Sequence, residues 1–178
     1  MRNFRLTPFA IYINRGGILE KYYLTSGKRE TVFTSRDISS FDLSPPEEII
    51  LADRQKHELL FLDFTYTIRF KIENILIEDL RWYEDQVYVL TKNSVHIYDE
   101  HGNLVEKKLT PEFCNRIKVV NHKILIFTEK SNYLYIADKP WMKKEFPFTI
   151  LDVCEKEQSV IILDGLGTTL RVFDRNDF

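Results

Sequence analysis

From residue 87 to residue 109 the chain reads VYVLTKNSVHIYDEHGNLVEKKL. Residues 87–90 are a run of strand formers, Lys92-Asn93 interrupts it, and Val95-His96-Ile97-Tyr98 alternates apolar with polar positions. Asp99-Glu100-His101-Gly102-Asn103 supplies turn formers, and a third run begins at Leu104. β-Branched and aromatic residues suit a pleated, half-buried surface, while Gly, Asn and Asp accept the dihedrals of tight turns. The pattern predicts three antiparallel strands in a meander.

The same unit recurs. Apolar-turn-apolar segments close on Asp63, Asp99, Asp138 and Asp174, at spacings of 36, 39 and 36 residues, and a fainter copy closes on Thr25. One unit of this size cannot bury its own apolar face and must stack on a neighbour. A period near 37 built from short strands, with no helical stretch, predicts a small all-β propeller of about five four-stranded blades. The first strand of each blade precedes the meander: Ile38-Ser39-Ser40-Phe41, Glu78-Asp79-Leu80-Arg81-Trp82, Asn115-Arg116-Ile117-Lys118-Val119 and Ile150-Leu151-Asp152-Val153. The chain is then a single domain, 1–178, with repeats of approximately 1–34, 35–73, 74–109, 110–148 and 149–178.

Two places test this frame. Ser44-Pro45-Pro46-Glu47 fits no central strand and is expected to be the turn between the first two strands of the second blade. The competing reading is a helix with proline at its start. Two four-residue apolar runs separated by polar residues give no continuous 3.6-residue stripe, so a hairpin is preferred. The ring is the second place, because the last unit stops without its outer strand. Asn3-Phe4-Arg5-Leu6-Thr7 could be the innermost strand of the first blade or the outermost of the last, but not both. We therefore expect incomplete closure or self-association through this seam.

An apolar run, a polar turn, a second run closing on Tyr/Phe-Asp and a glycine turn (Gly102, Gly27) together resemble the NHL and TolB-like propeller repeats. The resemblance covers about Phe9 to Asp174, without the Pro-x-Gly that often opens such repeats. It implies a binding scaffold, with some enzymes among such families, which usually have six blades where five units are found here.

Composition narrows the classes. At 44% apolar residues, with 13 Phe and 9 Tyr, the chain is globular, and a net charge of −2 disfavours nucleic acid and acidic membranes as partners. Cys114 and Cys154 form no CxxC motif or disulfide framework, which favours a reducing compartment. The start carries no small-residue cleavage site and no run reaches 18 apolar residues, so a cytoplasmic location without membrane insertion is expected. His57, His96, His101 and His122 form no metal-ligand spacing, and Gly165-x-Gly167 precedes no helix, so neither metal nor cofactor is expected.

Down the repeat columns, Ser40, Asp79, Arg116 and Asp152 recur near the start of the first strand, which lines a propeller channel. The second-to-third strand turns carry Arg15, Arg54, Lys56, Lys92 and Lys130, a basic ring about that centre. In the ordinary alternative these are solvated turn residues. Trp141, in a turn, is an interface candidate of the type enriched at protein contacts, or else folds back on the blade edge. The reading is a non-catalytic interaction scaffold or assembly subunit that binds a protein partner through one propeller face. The alternatives are a ligand- or carbohydrate-binding, lectin-like propeller with sites between blades, and a hydrolase or lyase using Asp79 and Asp152 as paired carboxylates.

Overall fold

The computed structural model describes residues 4–137, 140–165, 167 and 169–178, with Arg175 in backbone only. Asn3 of the seam segment, Asp138 at the end of a repeat, and Leu166 and Thr168 of the Gly165-x-Gly167 turn lie outside the described residues. The first sheet comprises β1 (Phe4–Leu6), β2 (Ala10–Asn14), β3 (Ile18–Tyr23) and β4 (Arg29–Thr34). The second comprises β5 (Ile38–Ser44), β6 (Glu48–Asp53), β7 (Glu58–Leu62) and β8 (Ile68–Ile72). The third holds β9 (Asp79–Tyr83), β10 (Gln86–Leu90), β11 (Ser94–Asp99) and β12 (Leu104–Leu109). The fourth holds β13 (Arg116–Val120), β14 (Lys123–Phe127), β15 (Tyr133–Ile136) and β16 (Met142–Glu145). The fifth holds β17 (Ile150–Lys156), β18 (Ser159–Asp164) and β19 (Leu170–Asp174), followed by a 3-10 turn at Arg175–Asp177.

Each sheet is an antiparallel meander in chain order, and the five form a five-bladed β-propeller. The first strands face one another: β9 packs on both β5 and β13, and β13 packs on β17. Four blades are four-stranded and the fifth has three strands, its outermost place unfilled among the described residues. The segment from Phe4 goes to the first sheet, pairing Phe4 with Ile13 and Leu6 with Ile11 as its innermost strand.

Local chemistry explains the turns. The hairpin reading of the stretch after Pro45-Pro46 holds: Ser44 ends β5, the Glu47 N–H donates to the Ser44 carbonyl at 2.9 Å, and β6 pairs with β7 from Ile49↔Leu62 to Asp53↔Glu58. The aspartates that close the repeats are turn formers. Asp63 Oδ1 accepts the Thr65 and Thr67 N–H groups at 2.8 and 3.1 Å, and Asp99 Oδ1 accepts those of His101 and Asn103 at 2.9 and 2.8 Å. This capture holds residues 63–67 in a turn, and β8 starts at Ile68. Glu84-Asp85 and Asn121-His122 have positive φ at both residues, as two-residue hairpin loops require.

Apolar cores fill the seams. Tyr12, Leu19, Phe41 and Leu51 pack between sheets 1 and 2, and Ile50, Phe61, Leu80 and Val87 between sheets 2 and 3. Tyr88, Leu90, Ile117 and Ile126 pack between sheets 3 and 4, and Phe127, Phe146, Val153 and Phe178 between sheets 4 and 5. Among the described residues no core cluster joins sheet 5 to sheet 1, and the arc is open there.

Candidate functional site

Two places gather polar chemistry: the axis and a groove beside the first seam. At the axis the inner strands project every second residue inward, because side chains alternate along a strand. Ser40 and Asp42 come from β5, Asp79 and Arg81 from β9, and Arg116 and Lys118 from β13. Asp79 is 1% exposed and fully occupied. Its Oδ1 accepts from Ser40 Oγ at 2.7 Å, Arg81 Nη1 at 3.0 Å and the Leu80 N–H at 3.0 Å, and its Oδ2 from the Ile117 N–H at 3.1 Å. Asp42 accepts from Arg5 Nε at 2.5 Å through Oδ1 and from the Trp82 N–H at 3.0 Å through Oδ2. Each aspartate thus stitches its own inner strand to the next one. Burial alone would raise the Asp79 carboxyl, yet Arg81, Ser40, the Ile117 N–H and Arg116 hold it below the ordinary carboxylate value. For Lys118, burial and nearby Arg81 lower the ammonium despite the 2.7 Å pair with Asp152.

Of the residues singled out in the sequence, the structure joins Ser40 directly to Asp79, and Asp152 to Lys118. Arg116 pairs with Glu129 at 3.0 Å. Three turn cations have acidic partners: Arg15 with Glu20 at 3.2 Å, Arg54 with Glu78 at 3.8 Å and Lys56 with Asp53 at 4.0 Å. Lys92 and Lys130 are exposed. Trp141 folds back on the blade edge, donating its Nε1–H to the Leu109 carbonyl at 2.7 Å and packing on the seam of sheets 3 and 4. Arg5, Asp42, Arg81 and Lys118 were missed. A step of two residues from Ser40, Asp79 and Arg116 would have found the last three, since that step returns to the same face of a strand.

The groove, of about 700 Å³, is formed by the β1–β2 loop, the end of β3 and the β5–β6 turn. Lys21 comes from β3 and Glu47 from the turn, and their ion pair measures 2.7 Å. Tyr12 donates to Glu47 Oε2 at 3.2 Å, and the Lys21 ammonium lies 4.8 Å from the Tyr23 ring centre and 5.3 Å from that of Tyr12. Burial opposes the charge on Lys21, but Glu47 and the Tyr12 hydroxyl raise its pKa well above the ordinary lysine value, so it stays protonated. The Arg5–Asp42 pair forms another part of the wall, and Phe9 stands exposed in the loop. Ser44 is 2% exposed, and its Oγ has no hydrogen-bond partner among the described residues. Among the described residues, no group of three His, Cys, Asp or Glu side chains could hold a metal ion. Nor is any described helix long and apolar enough to cross a membrane.

No protein-family model matches this sequence, and no curated protein sequence matches it. Solved structures match the fold. Virginiamycin B lyase from Staphylococcus aureus superposes with a TM-score of 0.71 at 7% identity, over 96% of this chain and 68% of the lyase. Hsv2 of Kluyveromyces lactis gives 0.67 at 13% identity, over 94% of this chain and 56% of that one. PorZ of Porphyromonas gingivalis, a surface component of a type-IX secretion system, gives 0.68 at 13% identity, over 98% of this chain and 27% of PorZ. At such identities the likeness establishes a propeller fold alone, shared with a lyase and with proteins of other kinds. This chain spans only part of each: about two thirds of the lyase, just over half of Hsv2 and about a quarter of PorZ.

Proposed function

We propose that the protein is a non-catalytic interaction module, a subunit of a larger assembly in which the two end sheets of the arc are covered by another protein surface. One observation carries this reading: both end sheets present an apolar face to water. On sheet 1, Phe4 and Leu6 are 65% and 66% exposed and pair across the strands with Ile13 and Ile11. On sheet 5, Leu170 and Val172 are each 65% exposed and pair with Leu163 and Ile161. Contiguous apolar surface of this kind marks a contact surface, because a face meant for water alternates with polar residues. The outer edge of β19, unfilled among the described residues, adds unpaired backbone groups to the same end of the arc.

The fold comparison supports the geometry. Five sheets lie along about two thirds of the lyase chain, so a ring of that curvature has room for about two more sheets of this size. The axis supports the non-catalytic part. Asp79 is buried in hydrogen bonds and ion pairs and kept ionised, which suits a structural carboxylate better than a general acid. Cys114 and Cys154 are both unpaired, in keeping with a cytoplasmic setting.

The test places charge on the uncovered faces. In extract of the source cells, the native chain should migrate in a complex larger than itself. A variant carrying Leu6→Glu, Ile13→Glu and Val172→Glu should migrate as the free chain while keeping its circular dichroism. A native chain that runs free in extract, or a charged variant still in the complex, would overturn the reading.

A further inference from the structure

We propose that the groove between sheets 1 and 2 is a binding site for one ring of a neutral sugar. The site goes beyond the assembly reading and does not depend on it, since it lies at a covered seam.

The charges of the groove are balanced locally. Lys21 is neutralised by Glu47 at 2.7 Å and Arg5 by Asp42 at 2.5 Å. An anionic ligand approaching either cation would meet a carboxylate beside it, and a cationic ligand would meet the ammonium or guanidinium. A hydroxyl group both donates and accepts, and is served by such a pair, giving its proton to the carboxylate and taking one from the neighbouring N–H. Two pairs in one groove therefore address the hydroxyls of a single polyol.

The remaining walls complete the match. A sugar ring has an apolar C–H face, and Tyr23 and Phe9 offer aromatic surface to receive it, Phe9 being 67% exposed. Ser44 supplies the independent observation. Ser44 is one of the residues lining the groove, and its buried Oγ has no hydrogen-bond partner among the described residues. Buried hydroxyls are nearly always bonded, so the unbonded one marks this wall as a place where a polar partner is wanting. The space of about 700 Å³ falls within the range of small-molecule sites, roughly 300–1,000 Å³.

Saturation-transfer difference NMR on the intact protein tests the site with methyl glycosides of glucose, galactose, mannose and N-acetylglucosamine. Glucuronate and glucosamine serve as charged comparators. At least one neutral glycoside should receive saturation from the aromatic side chains, and the charged sugars should bind about tenfold more weakly or not at all. Tyr23→Ala and Ser44→Ala should each raise the dissociation constant by roughly tenfold. If either variant fails to fold, Glu47→Gln, which keeps the shape and removes the charge, should produce the same loss. Val172→Glu, at the far end of the arc, should leave sugar binding unchanged even where it disrupts assembly, so the two readings fail separately. No transfer to any of the four glycosides, equal binding of the charged sugars, or undiminished affinity in the folded groove variants would overturn the proposal.

Discussion

The second strands of the middle sheets and those of the end sheets have the same kind of sequence but not the same surroundings. Ile49, Ile50, Leu51 and Ala52 of β6 are all buried, and so are the apolar residues of β10 from Val87 to Leu90 and of β14 from Ile124 to Phe127. Each of these strands is pressed between two neighbours. In β2, Ala10, Tyr12 and Asn14 are buried while Ile11 and Ile13 are only half-covered, and in β18 Val160 and Ile162 are buried while Ile161 and Leu163 are not. Unbroken apolar runs are the mark of strands covered on both faces, whereas a sheet with one wet face alternates. The end sheets therefore have the composition of middle sheets but are covered on one side. Internal stability does not account for that composition; the contact with another protein surface proposed above would.

The sharpest way to break this comparison is to weaken a covered seam. Phe41 is fully buried between sheets 1 and 2, and Phe41→Ala should cost about 3–5 kcal/mol, read from the urea midpoint and slope. A cost below about 1 kcal/mol would mean that the seams are not the source of stability and that the contrast with the open faces is empty. A further test lies at the axis, where the stitches between inner strands are ionic. Asp79→Asn leaves Arg81 without its carboxylate and should cost about 3 kcal/mol. The pH dependence has a fixed sign. The folded Asp79 carboxyl lies below its unfolded value of about 3.9, so its stabilisation is complete above that pH and is lost as pH falls through the lower folded value. Urea midpoints measured from neutral pH down to about pH 2 should show a steep acid limb in the native protein. In Asp79→Asn that limb should be shallower.

The fold was legible because its signals are local and repeated. Asp63 and Asp99 were visible as repeat ends, and the structure shows why aspartate stands there: one carboxylate oxygen collects two backbone N–H groups of the following turn. Pro45-Pro46 likewise marked a turn because no central strand can hold it. The axis was half legible. Ser40 and Asp79 stood out by column, while Arg81 and Asp42 needed the further step of counting two residues along each inner strand. The groove was not legible at all. Lys21, Glu47 and Arg5 come from three separate segments, and each reads alone as an ordinary charged surface residue. Their meeting depends on the stacking of sheet 1 on sheet 2, which spacing along the chain does not encode.

The finest test puts one substitution on the two faces of the same sheet. Val160 and Val172 lie on sheet 5, the first fully buried against sheet 4 and the second on the uncovered side. Threonine preserves the branched shape and strand preference of valine but adds a hydroxyl. Buried without a partner at position 160, that hydroxyl should cost about 1–3 kcal/mol. At position 172 water satisfies it, and Val172→Thr should change stability by no more than about 0.5 kcal/mol. The two variants should reverse their order when association is measured. Val172→Thr should reduce concentration-dependent self-association of the purified chain in sedimentation velocity, because it lowers the apolar character of the sticky face, whereas Val160→Thr should leave association unchanged at temperatures where it is folded. Equal stability costs at the two positions would show that the outer side of sheet 5 is covered within the chain itself. An unchanged sedimentation profile for Val172→Thr, in a native protein that does associate, would place the contact elsewhere.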